Sequence, residues 1–206
     1  MSNLSQFTQI TVDKEQKQKI ILTNIIKMLT NRKLLQFKKL DENIIKITTE
    51  ESDIQVYKVD LDNVKPFYIK ILNQKISAIN KASGILDFVT QYEKNQNIIV
   101  VREYTKKALT QLETNYPNSE IFLEDELMIN IVDQDFVPKH EVLKDIDLVN
   151  FLEQYKSKKK SNLPKLLVTD PVARYYRMKV GDICRIIRPS ELSGYEHFYR
   201  LVVKGR

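Results

Sequence analysis

Hydrophobic and polar positions in the first 75 residues follow two different periods. Residues 16–31 repeat their apolar side chains every three or four positions, which places them on one face of a helix. Residues 44–48, 53–59 and 66–72 are rich in β-branched and aromatic side chains, and these segments predict strands. Residues 60–65 (DLDNVK) predict a turn, so the second and third strands form a hairpin or an adjacent pair.

The next segment continues as an alternation of helices and strands. The pattern predicts helices over residues 76–94 and 105–115, although Gly84 weakens the first of them. It predicts strands over residues 97–102, 121–123 and 127–132. This order of elements is typical of an α/β sandwich with a mixed sheet, which we assign to residues 1–135.

Pro138 interrupts the pattern, and a second unit is predicted from Phe136 to the end of the chain. Asp170 followed by Pro171 is a typical helix start, with an N-capping carboxylate and a proline at the first helical position. The predicted elements are a helix over 145–155, a strand over 163–169, a short helix after 171, a turn at Gly181, a strand over 182–188, a turn over 189–194 and a strand over 198–203. We therefore predict a small α+β domain over residues 136–206.

Composition excludes several classes of protein. The chain has four glycines among 206 residues, and none has the spacing of a dinucleotide fingerprint or a phosphate-binding loop. Cys184, His140 and His197 cannot form a four-ligand zinc site without carboxylates, and a single cysteine cannot form an intrachain disulfide. We expect no metal, no cofactor and a reducing compartment. Neither a signal peptide nor a membrane-spanning segment is expected, because the longest apolar runs are short.

Charge is unevenly distributed along the chain. Residues 1–135 contain 18 basic and 19 acidic side chains, whereas residues 136–206 contain 15 and 8. The excess positive charge therefore lies in the last third, which by itself suggests a nucleic-acid-binding surface there.

The last third also carries an ordered series of motifs. It strongly resembles the assembly domain of the fifth subunit of eukaryotic RNA polymerases, a domain that is shared with the archaeal counterpart of that subunit. The matching segments are VPKH (137–140), LP (163–164), DPVARYY (170–176), Lys179 with Gly181, IIRPSE (186–191), Gly194 and YR (199–200). Upstream, residues 24–32, 98–112 and 124–140 resemble the jaw-domain part of the same family.

This resemblance implies a non-catalytic subunit of a multisubunit DNA-directed RNA polymerase. Residues 136–206 would anchor it on the largest subunit, and residues 1–135 would form part of the jaw near downstream DNA. The implied partners are other polymerase subunits, downstream duplex DNA bound weakly and without sequence readout, and transcription factors. A full-length match implies a eukaryotic or large-DNA-virus protein, located in the nucleus or in the virion and infected-cell cytoplasm.

The resemblance also indicates which residues would form these contacts. Thr105, Lys106, Lys107 and Ala108 occupy the position of the family's jaw loop, which typically reads Thr-Pro-Ser-Ala near DNA. Here the loop lacks the proline and gains two cations, which either contact DNA phosphate or are a solvated surface pair. The residues expected to serve subunit assembly are His140, Asp170, Pro171, Arg174, Tyr175, Lys179, Gly181, Arg188, Pro189, Ser190, Glu191, Gly194, Tyr199 and Arg200.

Two basic features leave alternatives open. The set Arg174, Lys179, Arg185, Arg188 and Arg200 favours pairing with a partner's carboxylates over nucleic-acid binding. The run over 156–160 is a solvated linker, a nuclear-localisation signal or a polymerase contact.

Arg177 stands where the family usually has glycine, and it would adopt a positive φ if the family backbone is kept.

Two further functions compete with the polymerase assignment. One is a free-standing DNA-binding transcription regulator. The other is a metal nuclease, for which Glu15-Gln16-Lys17 is the only Asp/Glu-x-Lys motif. That motif lies at the start of a predicted helix, whereas such nucleases carry it on a strand, so we expect no catalytic residue in this chain.

Overall fold

The chain divides into two compact units, Met1–Ile129 and Asn130–Arg206. This boundary lies a few residues before the one that the sequence predicted. The computed structural model describes residues 13–32, 44–47, 55–61, 64–154 and 160–205. Each unit contains one mixed sheet with helices, and the predicted α/β and α+β character is confirmed.

The first unit is built on a five-stranded sheet whose strands stand in chain order. The strands are β1 (Ile44–Ile47), β2 (Gln55–Leu61), β3 (Val64–Ile76), β4 (Gln96–Tyr104) and β5 (Ser119–Leu123). The first three are antiparallel and the last three are parallel. The β2–β3 pair confirms the predicted hairpin, but both strands extend into the predicted turn.

Helices cover both faces of this sheet. They are α1 (Lys14–Asn31), α2 (Ile85–Gln91), α3 (Lys106–Asn115) and α4 (Glu124–Met128). The helices α2 and α3 connect the parallel strands and pack on Leu72, Ile99 and Val101. Ile71 and Leu72 point to opposite faces, and Ile71 lines a cleft with Ile21 of α1, so α1 covers the other face.

Two element predictions in this unit were wrong. The helix predicted from residue 76 begins only at Ile85, because β3 continues to Ile76 and a 3₁₀ turn with a capping box forms from Asn80 to Ser83. Gly84 follows with a φ of 65° and separates that turn from α2. No strand forms over 127–132: the helix α4 occupies Glu124–Met128, and a 3₁₀ turn follows over Ile131–Asp133. The start of α4 is fixed by the Leu123 N–H, which donates to Glu126 Oε2 at 2.9 Å.

The second unit contains a four-stranded sheet between two helices. Its elements are β6 (Lys139–Val142), α5 (Asp145–Gln154), β7 (Lys165–Leu167), α6 (Pro171–Tyr175), β8 (Ile183–Ser190) and β9 (Gly194–Val203). The strand order is β6-β8-β9-β7, in which only the β7–β9 pair is parallel. The β8–β9 hairpin is longer than predicted, and its turn is correspondingly shorter.

The two faces of this sheet have separate cores. On one face Cys184, Ile186 and Val202 pack with Ala173 of α6 and Met178. On the other face, Ile183 packs with Phe151 of α5. The apolar spacing of this helix predicts Leu148, Val149 and Leu152 on one side, but Val149 is 54% exposed and Phe151 is buried. No helix within the described residues is long and apolar enough to cross a membrane.

Candidate interaction surfaces

The junction between β4 and α3 is held rigidly by Thr105. Its hydroxyl accepts the Ala108 N–H at 3.3 Å and donates to the Ser77 carbonyl at 2.7 Å. Its own N–H donates to the Ile76 carbonyl at 3.0 Å, which ties the junction to the end of β3. Ala108 is fully buried in the core beneath. Thr105, which is partly exposed, and the buried Ala108 therefore fix the backbone of this segment.

Lys106 and Lys107 are the exposed members of this segment. They begin α3 and lie beside the polar side chains of Thr110 and Gln111. Cations in the first turn oppose the helix dipole, a cost of a few tenths of a kcal/mol. The two lysines therefore lie at a helix start that they slightly destabilise. Their exposed ammonium groups can contact the phosphates of a nucleic acid without sequence specificity.

Several residues predicted to serve assembly have a clear role in building the second unit. The Asp170 carboxylate accepts the N–H groups of Val172 at 2.9 Å and Ala173 at 3.4 Å, and Pro171 opens α6. Gly181 and Gly194 have φ values of 98° and 75°, in the left-handed region that favours glycine. These backbone roles leave fewer of the motif residues available for a partner.

Other predicted residues lie on the outer end of the β8–β9 hairpin. Arg188 stands over the Phe198 ring at 5.3 Å and lies opposite Glu196 in the ladder. Ser190 donates to Glu196 Oε1 at 3.2 Å. Next to them, Pro189 and Glu191 are exposed, as is Tyr195 at 70%. The hairpin end therefore presents a cationic and aromatic surface.

Phe198 and Tyr195 were not among the residues singled out from the sequence. Phe198 is 44% exposed, although it lies in the same strand and on the same face as the buried Val202. The aromatic side chains of the segment GYEHFYR (194–200) were the available signal, but the sequence pattern predicts a strand only over 198–203. The hairpin extends beyond the neighbouring strands β6 and β7, and sequence pattern alone does not reveal that extension.

His140 lies on β6, partly buried against the same hairpin. Its Nδ1 contacts the Pro138 carbonyl at 2.6 Å. Burial is the main cause that lowers the pKa of His140 from its usual 6.5. The hydrogen bond to the Pro138 carbonyl and then the Asp170 carboxylate oppose this, while Arg200 and Arg188 add to it. The charges of Asp170, Arg188 and Arg200 therefore lie near enough to His140 to act on its ring.

The remaining predicted positions are more varied. Lys179 is exposed in a turn, where its N–H donates to Asp182 Oδ2 at 2.7 Å. Tyr175 is buried in α6, and Arg174 beside it is partly buried. The Tyr199 ring packs on Phe151 with centroids 4.5 Å apart.

Arg185 already has carboxylate partners inside its own chain. Its Nε and Nη2 donate to Glu141 Oε2 at 2.9 and 2.6 Å, and Asp147 lies 3.9 Å away. Hydrogen bonds from Lys139 and then Arg185 lower the pKa of Glu141. Of the basic set considered from the sequence, Arg185 is therefore committed to holding β6 to β8.

No described residues form an arrangement typical of catalysis. Burial raises the pKa of Cys184 to about 11, so its thiol packs as a small apolar group. Glu15 and Lys17 lie in the exposed first turn of α1 and not on a strand. Within the described ranges no three His, Cys, Asp or Glu side chains are grouped to hold a metal ion. Residues 156–159 of the basic run lie outside the described residues.

Comparison with known proteins covers both units. The family model for the RNA polymerase Rpb5 C-terminal domain matches residues 129–202. The chain is 34% identical over 200 residues to DNA-directed RNA polymerase subunit 5 of Acanthamoeba polyphaga mimivirus, covering 95% of this chain and 96% of that protein. It is 29% identical over 189 residues to the Dictyostelium discoideum subunit rpabc1 of RNA polymerases I, II and III, covering 89% and 95%.

An archaeal relative matches a shorter part of the chain. The Methanosarcina acetivorans DNA-directed RNA polymerase subunit Rpo5 is 39% identical over 75 residues, which cover 36% of this chain but 95% of that protein. The similarity to the mimivirus protein runs almost end to end, and the family model falls on the segment that carries the quoted motifs. As the resemblance predicted, the chain belongs to the Rpb5 family of DNA-directed RNA polymerase subunits.

Proposed function

We propose that this chain is a non-catalytic subunit of a multisubunit DNA-directed RNA polymerase. The second unit anchors it on the largest subunit, and the first unit forms part of the jaw near downstream DNA. The observation that carries the proposal is the nearly end-to-end similarity to a viral polymerase subunit 5. The subunit would act in the nucleus of a cell, or in the virion and infected-cell cytoplasm of a large DNA virus.

The outer hairpin of the second unit supports the anchoring role. Arg188 and the exposed rings of Phe198 and Tyr195 combine a cation with apolar area, a composition that is enriched at protein interfaces. Arginine also forms bidentate pairs with carboxylates. With a net charge of +7 over residues 136–206, this unit favours an acidic partner surface.

The first unit supports a weak contact with DNA. Its net charge over residues 1–135 is −1, so only local cations can attract the duplex. Lys106 and Lys107 are exposed at a rigid helix start, and each could neutralise one phosphate. Such contacts position a duplex without specifying its sequence.

Co-purification tests the proposal as a whole. A tagged full-length chain expressed in its native cell or virus should recover the largest polymerase subunit. Recovery of no polymerase subunit would refute the proposal. The alternative, a free-standing DNA-binding regulator, requires the isolated chain to bind duplex DNA tightly, with a salt dependence that reports several phosphate contacts.

Charge reversal at Arg188 tests the anchoring surface. We expect Arg188→Glu to reduce co-purification of the largest subunit by about tenfold or more, because a buried like-charge contact costs more than about 1.4 kcal/mol. Lys204→Glu is the matched control, since Lys204 is exposed in the same unit but outside the hairpin. Equal recovery with both variants would remove Arg188 from the interface.

Neutralising the jaw lysines tests the DNA contact. In the assembled polymerase, Lys106→Ala with Lys107→Ala should leave subunit assembly intact and lower the salt slope of downstream-DNA binding by about one unit per lost phosphate contact. Lys19→Ala, at an exposed lysine of α1, should leave that slope unchanged. An unchanged slope in the double variant would mean that both lysines are merely solvated.

A further inference from the structure

The strand β9 extends well beyond its outer neighbour. The three residues of β7 pair only with Leu201–Val203, whereas β9 begins at Gly194. On its inner side β9 is paired with β8 without a register shift from Gly194 to Leu201. The N-terminal half of β9 is therefore an edge of the sheet.

Hydrogen bonds show which backbone groups face this edge. The Leu201 N–H donates outward to the Pro164 carbonyl at 2.8 Å, and the Val202 N–H donates to the Asp182 carbonyl next to β8 at 2.9 Å. Because backbone direction alternates along an antiparallel strand, the N–H and C=O groups of Tyr195 and His197 point outward like those of Leu201. No described residue hydrogen-bonds these outward groups.

The opposite edge of the same hairpin is protected. The β6–β8 ladder ends at the Lys139–Ile187 pair, and beyond it β8 carries Pro189 at an outward position. Proline has no N–H to offer, and it is one of the residues that natural proteins place on edges to prevent strand pairing. The segment from Tyr195 to His197 has no proline, lysine or bulge, so the chain blocks one edge and leaves the other open.

We propose that Tyr195 and His197 form backbone hydrogen bonds with an extended segment of another polymerase subunit, which adds a strand to this sheet. The proposal rests on the anchoring role described above and specifies its geometry. Side chains of the added strand would alternate between the Tyr195 face and the face that carries Phe198 and Arg188. Because Arg188 and the net charge of the unit are positive, the segment should place an acidic side chain on the Arg188 face.

Hydrogen exchange tests the pairing directly. The full-length chain is compared free in solution and assembled in purified polymerase, with exchange measured at the amides of Tyr195 and His197. We expect exchange to slow by about tenfold or more on assembly, as for a newly formed hydrogen bond. Equal exchange rates in a chain that co-purifies with the polymerase would overturn strand pairing but leave the subunit assignment intact. Slow exchange in the free chain, together with dimer formation, would assign the edge to a second copy and also overturn the proposal.

Two variants at one position separate backbone from side-chain contact. His197→Pro removes the outward N–H, whereas His197→Ala keeps it and removes only the ring. We expect His197→Pro to lower co-purification by about tenfold or more relative to His197→Ala. Equal recovery of the two variants would refute backbone pairing. If His197→Pro does not fold, the exchange measurement on the unmodified chain decides the question.

Discussion

In the first unit, the core joins residues that are distant in sequence, whereas much of the second unit is fixed by short-range features. Ile99 and Val101 of β4 are fully buried beneath the helices α2 and α3. These helices connect β3 to β4 and β4 to β5, so the contacts form only when both parallel strand pairs are in place. In the second unit, the Asp170 cap, Gly181 and Gly194 fix turns within a few residues of themselves. Parallel pairing needs distant contacts, while caps and turns need only local ones.

This difference explains where the family is recognisable. Caps and turn glycines restrict the residue type at fixed positions, and the family model matches residues 129–202, nearly all within the second unit. A buried strand accepts several apolar residues of similar volume, so a strand pattern restricts residue type less than a cap or a turn glycine does.

The largest expected change in the free energy of unfolding comes from breaking a buried ion pair in the first unit. Arg32, at the end of α1, makes two 2.9 Å bonds to Glu120 of β5, and their side chains are only 4% and 14% exposed. Arg32→Met should lower the free energy of unfolding by about 3–5 kcal/mol, because it removes two charged hydrogen bonds from a largely buried carboxylate. Urea denaturation measures this change.

The control for this pair is an exposed one in the same sheet. Lys75 and Glu103 also form an ion pair at 2.7 Å, but both side chains are 59% exposed. Lys75→Met should cost at most about 1 kcal/mol. If the two variants lose the same stability, burial does not set the strength of ion pairs in the first unit.

Substitutions at Arg177 test whether the backbone conformation of a single residue affects the stability of the second unit. Arg177 has a φ of 51° just after α6, as expected if the family backbone is kept. Arg177→Gly should raise the free energy of unfolding by about 1 kcal/mol relative to Arg177→Ala, because both remove the side chain but only glycine relieves the left-handed strain. Equal stability of the two variants in thermal unfolding would contradict a strained backbone there.

The smallest expected effect is a pH dependence in the second unit. Since burial lowers the pKa of His140 below 6.5 in the folded state, the unfolded chain binds its proton more readily. Its contribution to stability is complete above pH 6.5 and is lost as the pH falls through the lower folded-state pKa. The unfolding free energy of His140→Gln should therefore fall less between pH 6.5 and about pH 5 than that of the unmodified chain, with a difference below about 1.4 kcal/mol per pH unit. Parallel pH profiles would show that His140 is not the group that titrates.

Local periodicity predicted the elements that have a single dominant signal. The helices α1, α3 and α5, most strands and the Asp170-Pro171 start of α6 follow from spacing and capping residues. The failures occurred where two signals compete. Residues 127–132 have strand-forming side chains, but the Glu126 carboxylate caps a helix that begins at Glu124. Ile79 fits a helical spacing, yet the Asn80–Ser83 capping box and Gly84 delay the helix until Ile85.

The interaction surfaces were only partly predictable. Lys106, Lys107 and Arg188 were identified through the family resemblance, and all three are exposed. The aromatic residues Tyr195 and Phe198 were not, because a strand pattern does not show where its neighbouring strands end. Arg185 was grouped with possible partner contacts, although Glu141 lies beside it across the β6–β8 ladder.

By itself, the sequence determined the family, the mixed α/β character and the positions where a cap or glycine is required. Motifs, periodicity, caps and turn glycines all depend on residue types within a few positions of one another, so they can be identified in the sequence directly. Tertiary structure alone decided that Arg185 pairs with Glu141 of its own chain and that Phe151 is buried where Val149 is exposed. It also decided that β9 extends beyond β7 and leaves part of its edge unpaired by another strand. The ion pair, the core residue and the strand edge each depend on which distant segments contact one another and where those segments end. Long-range packing determines these contacts and end points.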